Sequence, residues 1–293
     1  MNILECSNVT KRFGKTMVLD GLSMAMEEGA IYGLIGINGA GKTTLLKTIL
    51  GILLPQSGSI KLFGATETAR LRKDIGFMLS AEVFFPNMSA YENLLYYQKL
   101  FRSVDHHRIH QVLEMVKLKD DKKKFVHYSM GMKQRLGIAL AILKRPKMIL
   151  LDEPLNGLDP ISIAQFRELL IELNKMEQVT VLISSHNLPE LEQIATIYGI
   201  MDRGKMLQQI QHKDLVKRCC KSHLIRLKST VTKNKSEKRF LYLKDKIIVP
   251  GDTKLDEVLL ELKRNDFQIS GIEDYQLSLE EYFRMRVKNE GII

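Results

Sequence analysis

Hydrophobic and polar positions divide this chain into a legible series of elements. Over residues 2–30, Val18, Leu22, Met24 and Met26 alternate with smaller or polar residues, the period of half-buried strands. Residues 30–35 (Ala30-Ile31-Tyr32-Gly33-Leu34-Ile35) form a short apolar run and predict a buried strand, and 44–50 predict a helix. A turn at Pro55-Gln56-Ser57-Gly58-Ser59 leads into a short strand at 60–63 that breaks at Gly64. Another strand is expected at 75–79. Ser89 and Glu92 then have capping-box spacing, opening a helix to about Phe101. A second amphipathic helix is expected over 105–117. A third begins after Ser129, a good N-cap, with Leu136, Ala139, Leu140 and Leu143 on one side. The continuous apolar run 148–151 suits a central parallel strand. Asp159-Pro160 caps a helix with Ile163, Phe166, Leu170 and Leu173 on its core face, and 179–183 is the next strand.

The pattern changes after about residue 208. Strand-like pieces at 224–227, 240–243 and 247–249 are followed by helix-like stretches at 253–264 and 278–288. They predict a small α+β accessory domain, with the Lys-rich stretch 228–239 as an exposed hairpin tip.

Composition narrows the class. At 293 residues the chain holds one large or two smaller domains. With 45% hydrophobic and 27% charged residues it is an ordinary globular protein. No run of about 18 apolar residues is present, so no membrane-spanning helix is expected. The start, Met1-Asn2-Ile3-Leu4-Glu5-Cys6, does not read as a secretion signal. Cys6, Cys219 and Cys220 do not make a disulfide framework and read as reduced thiols. A net charge of +10 points to an anionic partner: nucleotide, nucleic acid or the inner membrane surface.

One stretch carries explicit chemistry. Gly36-Ile37-Asn38-Gly39-Ala40-Gly41-Lys42-Thr43, followed by Thr44, fits the phosphate-binding loop G-x-x-x-x-G-K-[ST] between a strand and a helix. Its glycines let the backbone curl into a nest of N–H donors. Lys42 supplies a point charge for the outer phosphates, and the Thr43 hydroxyl is a ligand for Mg²⁺. Asp152-Glu153-Pro154 follows the central strand, at the sheet edge where open α/β folds bind ligands. Asp152 is placed for the Mg²⁺ shell and Glu153 to hold a water. His186, after the next strand, belongs at the same edge. His106 and His110 lie one helical turn apart and read as a solvated face rather than a metal pair. Phe13 is a candidate for stacking on a purine ring or for the core.

The phosphate loop at 36–43, Tyr128-Ser129-Met130-Gly131-Met132 before Lys-Gln-Arg, the Leu-Leu-Asp-Glu-Pro at 150–154, Asn156-Gly157-Leu158-Asp159, and Ser185-His186 occur in that order. Together they resemble the ATP-binding subunits of ABC transporters, and among them the bacterial bacitracin- and lantibiotic-resistance exporters. The likeness covers roughly residues 2–208, with a weaker echo at 277–283. It implies an α/β P-loop NTPase core over 1–208, with a helical subdomain at about 86–145 and an accessory domain at 209–293. It also implies a homodimer or heterodimer holding two ATPs head to tail, with Mg²⁺, at the cytoplasmic face of the cell membrane. Ser129 and Gly131 of one subunit would face the γ-phosphate held by the other. Phe13 would stack on adenine, Glu153 would polarise the attacking water, Asp159 would bridge subunits, and His186 would touch the γ-phosphate. A separate membrane-spanning permease would choose the exported compound, peptide- or antibiotic-like or hydrophobic, and would dock a helix near Phe84, Phe85 and Pro86.

The chain departs from the family in places. Met130 and Met132 stand where the signature Leu-Ser-Gly-Gly-Gln has a small and an amide residue, and Phe13 stands where Tyr is common. Ser80 occupies the usual Gln or Glu position, so Mg²⁺ contact there would pass through water or to Glu82, with altered coupling to the permease. Another reading is an ABC-type ATPase acting on nucleic acid or ribosomes, which the positive charge suits. Against it, the chain has a single phosphate loop, and the stretch from Thr44 to Tyr128 is too short for a long coiled coil. A nucleotide-binding module that does not hydrolyse is disfavoured by Lys42, Asp152, Glu153 and His186 being present together.

Overall fold

The computed structural model describes residues 1–66, 70–79, 83–119, 121–228, 240–243, 245–265 and 267–287. The chain divides into two compact units, Met1–Met206 and Leu207–Ile293. The division falls within a strand, two residues before the position where the pattern changes in sequence.

The first unit opens with two long strands, β1 (Asn2–Phe13) and β2 (Thr16–Glu27). β3 (Ile31–Ile35) then leads into α1 (Lys42–Ile49). β4 (Ser57–Leu62), β5 (Ala65–Thr66) and β6 (Ile75–Met78) follow. Next come α2 (Ala90–Leu100), α3 (His106–Met115) and α4 (Met130–Ile142). β7 (Met148–Asp152), α5 (Pro160–Met176), β8 (Thr180–Ser185), α6 (Leu188–Glu192), β9 (Ile197–Asp202) and β10 (Lys205–Gln211) complete the series. One sheet is antiparallel, in the order β2-β1-β4-β5. The other has the order β10-β9-β3-β8-β7-β6, with parallel pairing from β9 through β6.

Burial explains the second sheet. β3 and β8 are buried along their whole length, as continuous apolar runs covered on both faces must be. Leu45, Leu46 and Ile49 of α1 pack into a core with Leu34, Leu150 and Leu182. The register fixes where chemistry collects. Ile35 pairs with Ser185, and Asp152 pairs with Ser184. The carboxyl ends of β3, β7 and β8 are therefore level, and residues just past them share one edge.

α2, α3 and α4 pack on one another. The capping box that opens α2 is complete, with Ser89 and Glu92 bonded reciprocally. α4 differs from its sequence reading. It buries Leu136, Gly137, Ile138, Ala139, Ala141 and Ile142, while Leu140 is only half-buried. The helix is packed against β6 as well as α2 and α3, so no single apolar stripe suffices. The expected aromatic docking patch also needs correcting. Phe84 is buried, in contact with the rings of Tyr97 and Phe125, whereas Phe85 and Pro86 are exposed. His106 and His110 both pack against Tyr91, whose hydroxyl lies 2.5 Å from His106 Nδ1. Ser80 and Glu82 lie outside the described residues.

The second unit contains α7 (His212–Cys220), β11 (Ser222–Leu227), β12 (Leu241–Leu243), β13 (Lys246–Val249), α8 (Leu255–Arg264), β14 (Ile269–Tyr275) and α9 (Leu279–Arg286). Its antiparallel sheet has the order β12-β13-β11-β14. Ile225, Ile247, Val249, Val258 and Leu262 form its core. α7 and β14 are additions to the sequence reading. α7 is short and buries only Leu215 and Cys219, one turn apart, and β14 buries no residue fully. Residues 229–239, expected as a hairpin tip, lie outside the described residues.

Candidate functional site

The phosphate loop starts from β3 and ends in α1. Gly41 is the N-cap of α1, with φ of 103°, and makes no side-chain capping bond. A Cβ there would meet the Val18 carbonyl at 2.7 Å, and one on Gly36 would meet the Met201 carbonyl at 2.7 Å. Only glycine serves at such a crowded position with a left-handed backbone. The first-turn N–H groups of α1 have no acidic side chain to satisfy them, and the helix dipole adds positive potential there. The loop, with Val18 and Glu153, encloses a cavity of about 200 Å³. Asn38, Gly39, Ala40, Gly41, Lys42, Thr43 and Thr44 line it; Gly36 lies just behind, its carbonyl bonded to Lys42.

Lys42 is buried, and its ammonium donates to the Gly36 carbonyl at 2.5 Å and the Ile37 carbonyl at 3.3 Å. It also lies 3.0 Å from Glu153 Oε1. That contact is close but poorly angled, because Oε1 is shielded from solvent and makes no hydrogen bond. The other oxygen, Oε2, sits 2.9 Å from His186 Nδ1 and accepts from the His186 backbone N–H at 3.3 Å. The Glu153 backbone holds φ of 47°, and its N–H donates to the Ser184 Oγ at 3.0 Å. A non-glycine residue in this region is strained, and two strand tips hold it in place.

Asp152 is fixed from both sides. Thr43 Oγ1 donates to Asp152 Oδ2 at 2.6 Å, and Ser184 Oγ donates to Asp152 Oδ1 at 2.6 Å. Ser184 is fully buried and was not marked by sequence reasoning. The available signal was a pair of serines closing an apolar strand that lies in register with Asp152.

The remaining expected residues are elsewhere. Ser129 caps α4 by accepting the Met132 N–H at 3.3 Å, as expected of an N-cap. A Cβ on Gly131 would lie 3.1 Å from Ser162 Oγ, and Ser162 in turn donates to Asp159 Oδ2 at 2.6 Å. The start of α4 and the start of α5 are thus packed together. Hydrogen bonds from the Ser162 side chain and backbone hold the Asp159 carboxyl below its usual range. None of Ser129, Gly131 and Asp159 lines the phosphate-loop cavity. Phe13, at the end of β1, is 47% exposed, with the Lys11 ammonium 5.6 Å from its ring centre. Its ring is therefore not core.

The donors suit a magnesium–triphosphate ligand. A hydroxyl and a carboxylate converge as hard oxygen donors, the set that Mg²⁺ prefers. Glu153, one of whose carboxylate oxygens is shielded and makes no hydrogen bond, lines the same cavity as the loop.

Residues 19–156 match the ABC transporter family. The bacitracin transport ATP-binding protein BcrA of Enterococcus faecalis is 35% identical over 99% of this chain and 98% of its own length. The lantibiotic transport ATP-binding protein SrtF of Streptococcus pyogenes is 38% identical over 72% of this chain and 91% of its own length. Among solved structures, a subunit of the cbiONQ ABC transporter complex of Clostridium perfringens superposes with a TM-score of 0.67 at 26% identity. It covers 73% of this chain and 90% of that one. A phosphate loop backed by two carboxylates, on a core shared with these proteins along most of their length, is that of an ABC ATPase, and the chain belongs to the ATP-binding subunits of ABC transporters.

Proposed function

We propose that this chain hydrolyses Mg²⁺-bound ATP in the interface of a head-to-tail pair and thereby drives a separate membrane-spanning permease. The compound moved is proposed to be a peptide-like or hydrophobic antibiotic, in line with the bacitracin and lantibiotic transport in the relatives' names, and the direction proposed is export. One observation carries the reading. Lys42, Thr43, Asp152, Glu153 and His186 converge at one sheet edge, while Ser129 and Gly131 stand outside that cavity. A serine-led helix start that does not reach its own chain's loop has a role if it meets a second copy's phosphates.

In this reading the loop N–H groups and Lys42 bind and orient the outer phosphates. Thr43 and Asp152 hold the magnesium ion, which when bound neutralises phosphate charge. Ser184 keeps Asp152 and the Glu153 backbone in place. Glu153 orients the attacking water and takes its proton, and His186 steadies Glu153 beside the γ-phosphate. Phe13 stacks on the adenine. Asp159, tied to Ser162, links the two copies. Among the described residues no helix is long and apolar enough to cross a membrane, so attachment to the cytoplasmic face is assigned to the permease.

Sedimentation of a Glu153→Gln chain with ATP and magnesium tests the pairing. The variant should form a dimer, and adding Ser129→Arg should abolish that dimer while each monomer still binds ATP. A Ser129→Arg chain that dimerises unchanged would remove the serine-led helix from the site.

A further inference from the structure

Phe13 ends β1 in a hairpin that also reaches the phosphate loop. It pairs with Thr16, and Val18, two residues further along β2, lines the phosphate cavity. The ring is exposed, and among the described residues no other aromatic ring stacks on it. Its place is therefore set by the backbone that carries it. The pairing of β1 with β4 ends at Thr10 and Ser57, where the Gln56 N–H donates to the Thr10 carbonyl at 2.9 Å. Arg12 lies two residues beyond that end, so β4 offers its N–H and C=O no backbone partner. The Gln56 side chain takes the strand's place. The Arg12 N–H donates to Gln56 Oε1 at 2.8 Å, and Gln56 Nε2 donates to the Arg12 carbonyl at 3.1 Å. A second tie is the Lys11 ammonium, which donates to the Leu54 carbonyl at 2.6 Å. This loop is itself anchored on α1, since the N–H groups of Ile52 and Leu53 donate to the Lys47 carbonyl at 2.9 and 3.1 Å. The helix whose first turn faces the phosphate cavity thus holds, at its other end, the loop that fixes the residue before Phe13.

We propose that Gln56 is a positioning residue for the nucleotide base: its amide fixes the end of β1 so that the Phe13 ring is held ready to stack. The inference rests on the adenine-stacking reading of Phe13 and names what makes that stacking effective. A ring on a loose strand end must be ordered when the base arrives, and that ordering subtracts from affinity; a ring already in place avoids the cost. An amide is the side chain that suits the job. It carries an acceptor and a donor together, matching one backbone N–H and one C=O. Glu keeps the acceptor but turns a second acceptor toward the Arg12 carbonyl, and Leu offers neither. Gln56 bonds to Arg12 and Thr10, and neither lines the phosphate cavity. Its loss therefore falls on the part of the affinity that comes from the base, and leaves the part that comes from the phosphates.

The test uses the full chain with magnesium and two probes, ATP and inorganic tripolyphosphate, the second serving also as the folding control. Gln56→Leu should weaken ATP binding by about 3- to 10-fold, the scale of one or two net hydrogen bonds, and leave tripolyphosphate binding within about twofold of wild type. Gln56→Glu should show the same selective loss. Phe13→Ala should weaken ATP binding by about tenfold, the scale of one stacked base, and adding Gln56→Leu to it should cost nothing more, because Gln56 acts through the ring. The chain has no tryptophan, so Phe13→Trp supplies a single reporter. ATP should quench its emission, and adding Gln56→Leu should lower its anisotropy before nucleotide is present and shrink the quench. Gln56→Leu binding ATP as tightly as wild type, losing both probes equally, or adding its full loss to that of Phe13→Ala overturns the proposal while leaving the stacking intact. Phe13→Ala binding ATP as wild type does overturns the stacking, and this inference with it.

Discussion

Replacing Glu153 by Gln should separate two jobs of one side chain. In the structure its Oε1 lies 3.0 Å from the Lys42 ammonium, with side-chain exposures of 18% and 6%. A triphosphate in the loop competes for that same ammonium. At an effective dielectric constant of about 20, two unit charges at this distance attract by roughly 5–6 kcal/mol. Desolvation of both groups offsets most of that, and the poorly angled contact recovers little, leaving a net of about 1–2 kcal/mol. Gln keeps the shape and removes the charge, so Lys42 is released to phosphate. ATP affinity should rise by about 5- to 30-fold, the factor that this free energy represents. Turnover should fall by roughly 10²–10⁴, the usual loss when a general base is removed. Affinity is read by equilibrium titration with a fluorescent ATP analogue, and turnover by phosphate release with saturating ATP and magnesium. An unchanged turnover would remove Glu153 from its assigned role. An affinity lower than wild type would show that the Lys42 contact does not compete with nucleotide.

Other residues give independent checks. Gly41→Ala places a Cβ 2.7 Å from the Val18 carbonyl at φ of 103°, so it should destabilise the chain by about 1–3 kcal/mol and abolish ATP binding, read by thermal melts with and without nucleotide. Ser184→Ala leaves Asp152 Oδ1 without its donor and the Glu153 N–H without its side-chain acceptor. Turnover should fall roughly 10- to 100-fold with ATP binding largely kept, since the loss is of positioning; equal turnover would dismiss the strand-tip argument. The Glu92 carboxyl lies below its usual range, first through the Ser89 backbone N–H and then through Lys124. Its folded pKa is depressed, so its stabilisation is present above the unfolded value of about 4.3 and is lost as pH falls through the folded value. The stability gap between wild type and Glu92→Gln, measured by urea unfolding, should therefore close as pH drops below about 4.

Much of this protein is local in origin, and that part the sequence determined alone. The phosphate loop is one contiguous segment, so its glycines, Lys42 and Thr43 declare themselves by spacing. The capping box at Ser89 needs only residues three apart, and it is complete. The buried strands announce themselves as apolar runs, because a parallel strand covered on both faces has no polar side to show. Tertiary structure decided what depends on register and on neighbours. Ser184 gains its place only because β8 lies level with β7, which sets its hydroxyl between Asp152 and Glu153. Phe84 and Phe85 are adjacent and chemically identical, yet one is core and the other surface, since only Phe84 meets Phe125. The broad burial of α4 over 136–142 depends on what surrounds it, β6 as well as α2 and α3. Spacing along a chain encodes turns, caps and periods, whereas which side chains share a surface is settled only when distant elements pack.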